Sequence, residues 1–470
     1  MKLIKKFLSF SIGGWLGAVV GLVTIPLMTR LFTPEEFGKA SMFALALNVL
    51  MLFVTFGIDQ AFVRFFYEEN TKKLLIKCLQ LTFIVYLCSV VIIYCFKIQI
   101  SEYLFGYYDL KIIAFLSAAS FLYVLNNYAI SVLRMKQMSW QYSIAQFGLR
   151  IFELIFIVLF FYLLGKDYST IVYAKIATML FVTILAMILS KSIWVDKSSL
   201  TPTINSSRKD IVKYSYPLAI TSILTWLLQS VDKISIKQWS SYKELGIYMA
   251  AFRIMAIMDI LGSSFSVYWT PLALERFINK TPAENNEFYK QANALVSVVM
   301  LIATTIIIMF KDVVVLLLGH NYRNASSIMP LLVFMPLMYI VSETTVIGIN
   351  FHKKVRWHLL ISGSVLVVSV ASNAVLVPHL GSKGAAMSIA IAYVCYFILR
   401  THISLKYYKV NYLLQKFYVA AFVLFLYALY SAFFSWNYLN VLFGIGVILM
   451  MLQLYSSIIK SSVKLLLQKK

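Results

Sequence analysis

Nine ionisable residues stand inside or at the edges of long apolar stretches. Arg150, Glu153, Lys175, Arg253, Asp259 and Glu343 lie within such stretches, and Arg30, Asp59 and Arg64 lie near their ends. An ion at bilayer depth costs from about 3 kcal/mol on insertion scales to more than about 10 on an isolated helix, so it persists only where it meets water, a partner or a ligand. Tyr142, Gln146, Arg150 and Glu153 follow one another at spacings of four, four and three, and so share one helical face. Two readings stay open there. Arg150 and Glu153 neutralise each other, or Arg150 offers its planar fork to phosphate oxygens while Glu153 orients it. Arg253 and Asp259 are six apart and diverge around one helix, which leaves Arg253 as a second cation. For Lys175, Arg30 and Arg64, snorkelling to an interface competes with ligand contact. The carboxylates Asp59, Glu153, Asp259 and Glu343 are each able to hold a proton or Na⁺, and Tyr339 and Asn350 share the Glu343 face.

Two polar stripes accompany these charges. Ser41, Asn48, Thr55 and Asp59 lie on one, and Pro217, Thr221, Thr225, Gln229 and Asp232 on the other. Such stripes either tie helices together in lipid or present hydroxyl partners to a polar ligand. Pro217 also frees a backbone carbonyl and permits a bend. Gly13, Gly17 and Gly21, followed by Pro26, suit close packing of the first helix or a bendable one.

The elements that position these groups must be membrane helices. The 470 residues are 61% hydrophobic and 13% charged, with a mean hydropathy of +0.82. A soluble chain of this size would carry about a quarter charged residues. Apolar runs near 7–29, 40–61, 74–96, 111–133, 143–164, 170–194, 211–231, 245–270, 292–318, 327–350, 358–378, 384–404, 412–434 and 437–459 predict an all-α polytopic protein of about fourteen spans. The connections are too short for a folded domain. Lys2, Lys5 and Lys6 precede an apolar stretch with no small-residue cleavage site, which reads as a first span and not a leader. The 42 Lys and Arg crowd into the N-terminus, the even-to-odd connections and the C-terminus, which places both termini in the cytoplasm. In that setting the net charge of +23 reflects orientation and argues for no nucleic-acid partner. Cys78, Cys88, Cys95 and Cys395 show no metal or redox spacing.

The chain also repeats itself about 210 residues apart. Pro34-Glu35-Glu36-Phe37-Gly38 aligns with Tyr242-Lys243-Glu244-Leu245-Gly246, and Leu104-Phe105-Gly106 with Leu317-Leu318-Gly319. Trp140 aligns with Trp357, and Leu164-Gly165 with Leu380-Gly381. Each pair falls between corresponding runs, so six-helix units are duplicated in parallel. The expected lobes are 1–205 and 206–408 around a central cavity, with a helix pair at 409–470. The charges do not follow the repeat: Arg150 maps to Val367, Lys175 to Ile391 and Arg253 to Leu45.

At this point the chain resembles the polysaccharide-transporter branch of the multidrug/oligosaccharidyl-lipid/polysaccharide exporter superfamily, the O-antigen flippase type. The resemblance rests on Pro26 to Gly38, on Gly57-Ile58-Asp59-Gln60-Ala61-Phe62-Val63-Arg64-Phe65-Phe66-Tyr67, and on Leu318-Gly319-His320-Asn321-Tyr322-Arg323. It implies two six-helix lobes plus a pair in the bacterial inner membrane. It also implies transport of an undecaprenyl-pyrophosphate-linked oligosaccharide to the outer leaflet, for O-antigen or capsule. A cationic lumen, no cofactor beyond a coupling H⁺ or Na⁺, and a polymerase and chain-length regulator as partners would accompany that activity. On this reading Arg150, Arg253, Lys175, Arg30, Arg64, Asn48, Gln146, Thr221 and Thr225 meet substrate, and Glu343, Asp59, Glu153 and Asp259 serve coupling. The alternatives are a cation-coupled multidrug antiporter of the same superfamily and, further off, a sugar-lipid polymerase or ligase. The sequence carries no Walker A, HExxH or GxSxG motif.

Overall fold

Local capping chemistry sets the helix boundaries. Thr33 Oγ1 accepts the Glu36 N–H at 3.3 Å and Pro34 fills the first helical position, so a helix starts there. Thr281 and Glu284 form a reciprocal capping box that starts another helix ten residues ahead of its apolar run. The computed structural model describes residues 2–191, 207–352, 354, 356–435, 437–456 and 458. Side chains are described from Leu16 onward, apart from Ala18 and part of 256–268. In the first half run α1 (Lys2–Leu31), α2 (Pro34–Thr55), α3 (Ile58–Phe65), α4 (Thr71–Cys95), α5 (Lys97–Phe105), α6 (Leu110–Met135), α7 (Ser139–Leu164) and α8 (Tyr168–Leu189). Then follow α9 (Arg208–Trp239), α10 (Tyr242–Asn279), α11 (Pro282–Met309), α12 (Lys311–Val315) and a 3₁₀ helix, His320–Ser327. The chain continues with α13 (Met329–Leu332), α14 (Phe334–Thr345), α15 (Ile347–Phe351), α16 (Arg356–Tyr407), α17 (Leu414–Phe433) and α18 (Tyr438–Leu454).

Each predicted apolar run falls on these helices as far as it is described, with 192–194, 457 and 459 lying outside the described residues, and all secondary structure among the described residues is helical. Nine described helices are long and apolar enough to cross a bilayer. His320–Ser327 with Met329–Thr345, bent by 49°, makes a tenth if counted as one span. The protein is therefore an all-helical polytopic membrane protein. The counting differs from the run count partly because α16 holds two runs, 358–378 and 384–404, joined at Gly381 (φ 55°, ψ −132°).

One expected helix breaks. The run 40–61 stops at Thr55, where Phe56 (φ 42°) and Gly57 (φ 72°) turn the chain into α3. Gly57 is required twice over, since its φ is positive and a Cβ there would lie 2.7 Å from the Ser215 carbonyl oxygen. Asp59 therefore leaves the predicted Ser41–Asn48–Thr55 stripe and sits on α3.

The duplicated segments build duplicated joints. In the first half, Glu36 near the start of α2 accepts the Tyr168 N–H at 2.7 Å, capping α8 just after Gly165 (φ 96°). In the second, Glu244 near the start of α10 accepts the Ser382 N–H at 3.3 Å and the Ser382 hydroxyl, just after Gly381. Thr33 and Ser241 cap the two glutamate-bearing helices alike. A carboxylate at a helix N-terminus gains from both the orphan N–H groups and the helix dipole. Asp167 lies beside the first joint. Burial acts to raise its carboxyl, but hydrogen bonding with Glu36 and Ser169 outweighs this and holds it below its ordinary value.

Tertiary contacts divide the chain into Met1–Trp226 and Leu227–Lys470. The division falls inside α9, because its first half packs on the N-terminal unit. Phe65 meets Tyr214 edge-on at 5.8 Å and Arg208 Nη2 donates to Gln80 at 2.8 Å. The connecting residues near 192–206 lie outside the described set. α17 and α18 belong to the second unit, where Tyr427 donates to the Asn440 carbonyl at 2.9 Å and Gly444 lies against Met309 of α11.

Candidate functional site

α7 and α8 bring three predicted residues together. Glu153 of α7 lies 3.9 Å from Arg150 Nη1, one turn earlier, and 3.5 Å from Lys175 Nζ of α8. The cluster holds two cations and one carboxylate, so it carries net positive charge. Arg150 is the twelfth residue of α7, roughly 16 Å from the helix start at 1.5 Å per residue, which is deep in a span. It is nevertheless 59% exposed at the side chain, and Lys175 36%. Neither cation is buried by its pairing with Glu153. Room for the arginine comes from α1: a Cβ on Gly17 would sit 3.0 Å from Arg150 Cγ. Gln146, one turn before Arg150, donates to the Tyr142 hydroxyl at 3.2 Å and continues the polar face.

The remaining predicted residues scatter. Arg30 is exposed at the end of α1, and Asn48 is exposed on α2. Arg64 pairs with Glu68, four residues on and just past the end of α3, and lies 5.7 Å over the Phe65 ring. Asp59 accepts from Gln60 at 3.0 Å and from Asn127 at 3.5 Å. Thr221 and Thr225 are exposed on α9, but each donates its hydroxyl to the carbonyl one turn back, Pro217 and Thr221, which leaves them as acceptors. Asp232, at the far end of that stripe, is buried and takes the Tyr248 hydroxyl and Lys233. Arg253 is half-buried and within electrostatic reach of Tyr322. The Asp259 side chain lies outside the described residues.

Glu343 has a partner that the sequence reading missed. Arg400 of α16 donates to Glu343 Oε1 at 2.7 Å and to the Ser342 hydroxyl at 2.6 Å, and stands near the rings of Tyr339 and Tyr396. The two side chains are 7% and 11% exposed. Any coupling role for Glu343 therefore begins from an ion pair. Arg400 and Lys233, assigned to connections when the basic residues are counted, are buried within α16 and α9. The available signal was position: Arg400 falls inside the run 384–404.

The sequence pattern of the polysaccharide biosynthesis protein family matches residues 3–271, more than half of the chain. The chain belongs to that family. No curated protein matches it in sequence. Solved structures share its fold at low identity. One is the lipid II flippase MurJ in an inward closed conformation, with 16% identity, 96% of this chain and 99% of that one covered, and a TM-score of 0.68. Another is an inward-facing multidrug resistance MATE family transporter of the MOP superfamily, with 14% identity, 82% and 93% coverage, and a TM-score of 0.67. This polysaccharide biosynthesis family member is thus a multi-pass membrane protein whose fold is shared by the MurJ and MATE structures.

Proposed function

We propose that this polysaccharide biosynthesis protein is a transporter that flips a lipid-linked oligosaccharide repeat unit from the cytoplasmic to the outer leaflet of a bacterial inner membrane. The substrate is an undecaprenyl-pyrophosphate glycan, and the charged groups are exposed alternately to the two sides. Fourteen spans, with both termini cytoplasmic, two six-helix lobes and a terminal pair, complete the topology.

One observation carries the reading: the exposed, net-cationic Arg150–Glu153–Lys175 cluster at mid-span depth. A pyrophosphate group cannot cross hydrocarbon bare. Arginine binds phosphate oxygens bidentately and lysine adds a point charge, while Glu153 weakens the grip enough for release. Arg253 supplies a cation in the second half, and Thr221, Thr225, Asn48 and Gln146 serve sugar hydroxyls. Arg30 and Arg64 attract the anionic head group near the helix ends. Glu153, Asp59, Asp259 and Glu343 are the groups through which H⁺ or Na⁺ binding would drive turnover. The multidrug reading fits less well, because a lumen selecting organic cations would not leave two cations exposed around one carboxylate.

The test replaces the cellular copy with Arg150→Ala or Arg253→Ala. Surface glycan display should be lost while the protein accumulates in the membrane at normal levels. Normal display by both variants, or efflux of cationic dyes with no effect on glycan, overturns the proposal.

A further inference from the structure

The two halves carry a cavity at corresponding ends, and the cavities have diverged. In the first half the space beside the Glu36 joint is about 140 Å³. Aromatic side chains line it: the hydroxyls of Tyr107 and Tyr168 meet at 2.9 Å, and Phe43, Phe115 and Tyr173 stand beside them. In the second half the N–H that meets the joint glutamate belongs to Ser382, where the first half has Tyr168, and the space beside the Glu244 joint opens to about 580 Å³. That volume is within the range of small-molecule sites, roughly 300–1,000 Å³.

The lining is that of a site for a neutral polyol. Glu244, Asp312, the Asn324 amide and the Ser382 hydroxyl supply planar or hydroxylic partners. Asp312 Oδ2 accepts no hydrogen bond, although Lys311 Nζ lies 3.8 Å away. Phe433 and Phe434 line the same space and remain exposed, giving ring faces on which sugar C–H groups stack. The charges cancel: two carboxylates face Lys311 and Lys383. Lys311 is already committed to the carbonyls of Ser431 and Phe434, the latter at 3.1 Å, and Lys383 lies 5.3 Å over the Phe433 ring. An anion would find no spare cation comparable to Arg150.

We infer that this cavity of the second half binds neutral sugar residues of a glycan. As an exit site for the sugar portion of the flipped lipid it rests on the function and orientation proposed above. The sugar chemistry itself does not. The connections at 239–242, 310–327, 379–383 and 433–435 meet there, all on the side that the charge bias assigns to the outside.

The experiment uses the full chain in lipid nanodiscs and saturation-transfer NMR. The probes are neutral trisaccharides (maltotriose and triacetylchitotriose) and acidic trigalacturonic acid. A neutral trisaccharide should receive saturation from the protein and the acidic one should not. Asp312→Asn and Phe433→Ala, separately and together, should lower the signal at least five-fold with the thermal midpoint unchanged, and Arg150→Ala should leave it intact. Displacement of the probe by a prenyl-pyrophosphate-linked oligosaccharide would assign the site to membrane-anchored glycan, and displacement by free oligosaccharide alone to soluble glycan. Either supports the site. Saturation of no sugar, of the acidic one only, or to the same extent in the variants would overturn the inference, even if export still depends on Arg150. Sugar binding that persists while export ignores Arg150 and Arg253 would instead sink the flippase reading and leave the site standing.

Discussion

The two halves of this membrane protein share their joints and differ in how they handle charge along their helices. In both, a glutamate near the start of the second helix caps the helix that follows a positive-φ glycine. In the first half the mid-span charges are loosely paired at 3.5–3.9 Å and partly exposed. In the second they are mostly buried and locked, as in Arg400–Glu343 at 2.7 Å and Asp232 held by Lys233 and Tyr248. A buried pair has met its desolvation cost with a fixed partner and has little left to offer a ligand. A loose, exposed cluster retains that capacity. The difference teaches that two halves can share a joint while only one keeps charges in reach of a ligand, which is why the proposed function is placed on the Arg150–Glu153–Lys175 cluster.

The contrast breaks most visibly on removing one partner of the buried pair. Arg400→Ala should destabilise the detergent-solubilised protein by about 3–5 kcal/mol, because it strands the Glu343 carboxylate, and Arg400→Met with Glu343→Leu should recover most of that. A loss as small as that of an exposed residue would erase the distinction between halves. Arg150→Ala is the mirror case. It should cut glycan export at least ten-fold while stability moves by less than about 0.5 kcal/mol, the usual range at exposed sites. Arg150→Lys should restore export only in part, because lysine lacks the bidentate fork. The shared joints supply a finer test. Glu36→Ala and Glu244→Ala should each cost about 1–3 kcal/mol through helix N–H groups left unpaired, and unequal losses would show that one joint has drifted in role. The smallest expected effect is Gly17→Ala, where the new methyl crowds Arg150 Cγ. Export should fall a few-fold with the membrane level of the protein unchanged, and an unaltered rate would show that α1 does not position the arginine.

Much of this was legible in the sequence. Apolar runs mark helices because every backbone group in lipid must be satisfied within its own segment. The segments that form the two joints were legible as matching Glu36-Phe37-Gly38 with Glu244-Leu245-Gly246 and Leu164-Gly165 with Leu380-Gly381, where Gly165 and Gly381 both have positive φ, and the spacing of Tyr142, Gln146, Arg150 and Glu153 placed them on one face. What escaped depends on tertiary contact. The break at Phe56–Gly57 arises where Gly57 meets the α9 backbone at Ser215, a contact 158 residues away in sequence. Arg400 looked like a charge flanking a helix end until the packing of α14 on α16 set it beside Glu343. The cavity near Glu244 was invisible because its lining comes from four connections far apart in sequence.

The central claim is that the exposed cluster on α7 and α8 handles the phosphate-bearing head group. It is tested most directly by reconstituting the purified chain into vesicles with a fluorescent undecaprenyl-pyrophosphate oligosaccharide and measuring translocation by quenching from outside. Arg150→Ala should translocate at no more than a tenth of the parent rate, with an unchanged melting midpoint. Translocation at the parent rate would contradict the account.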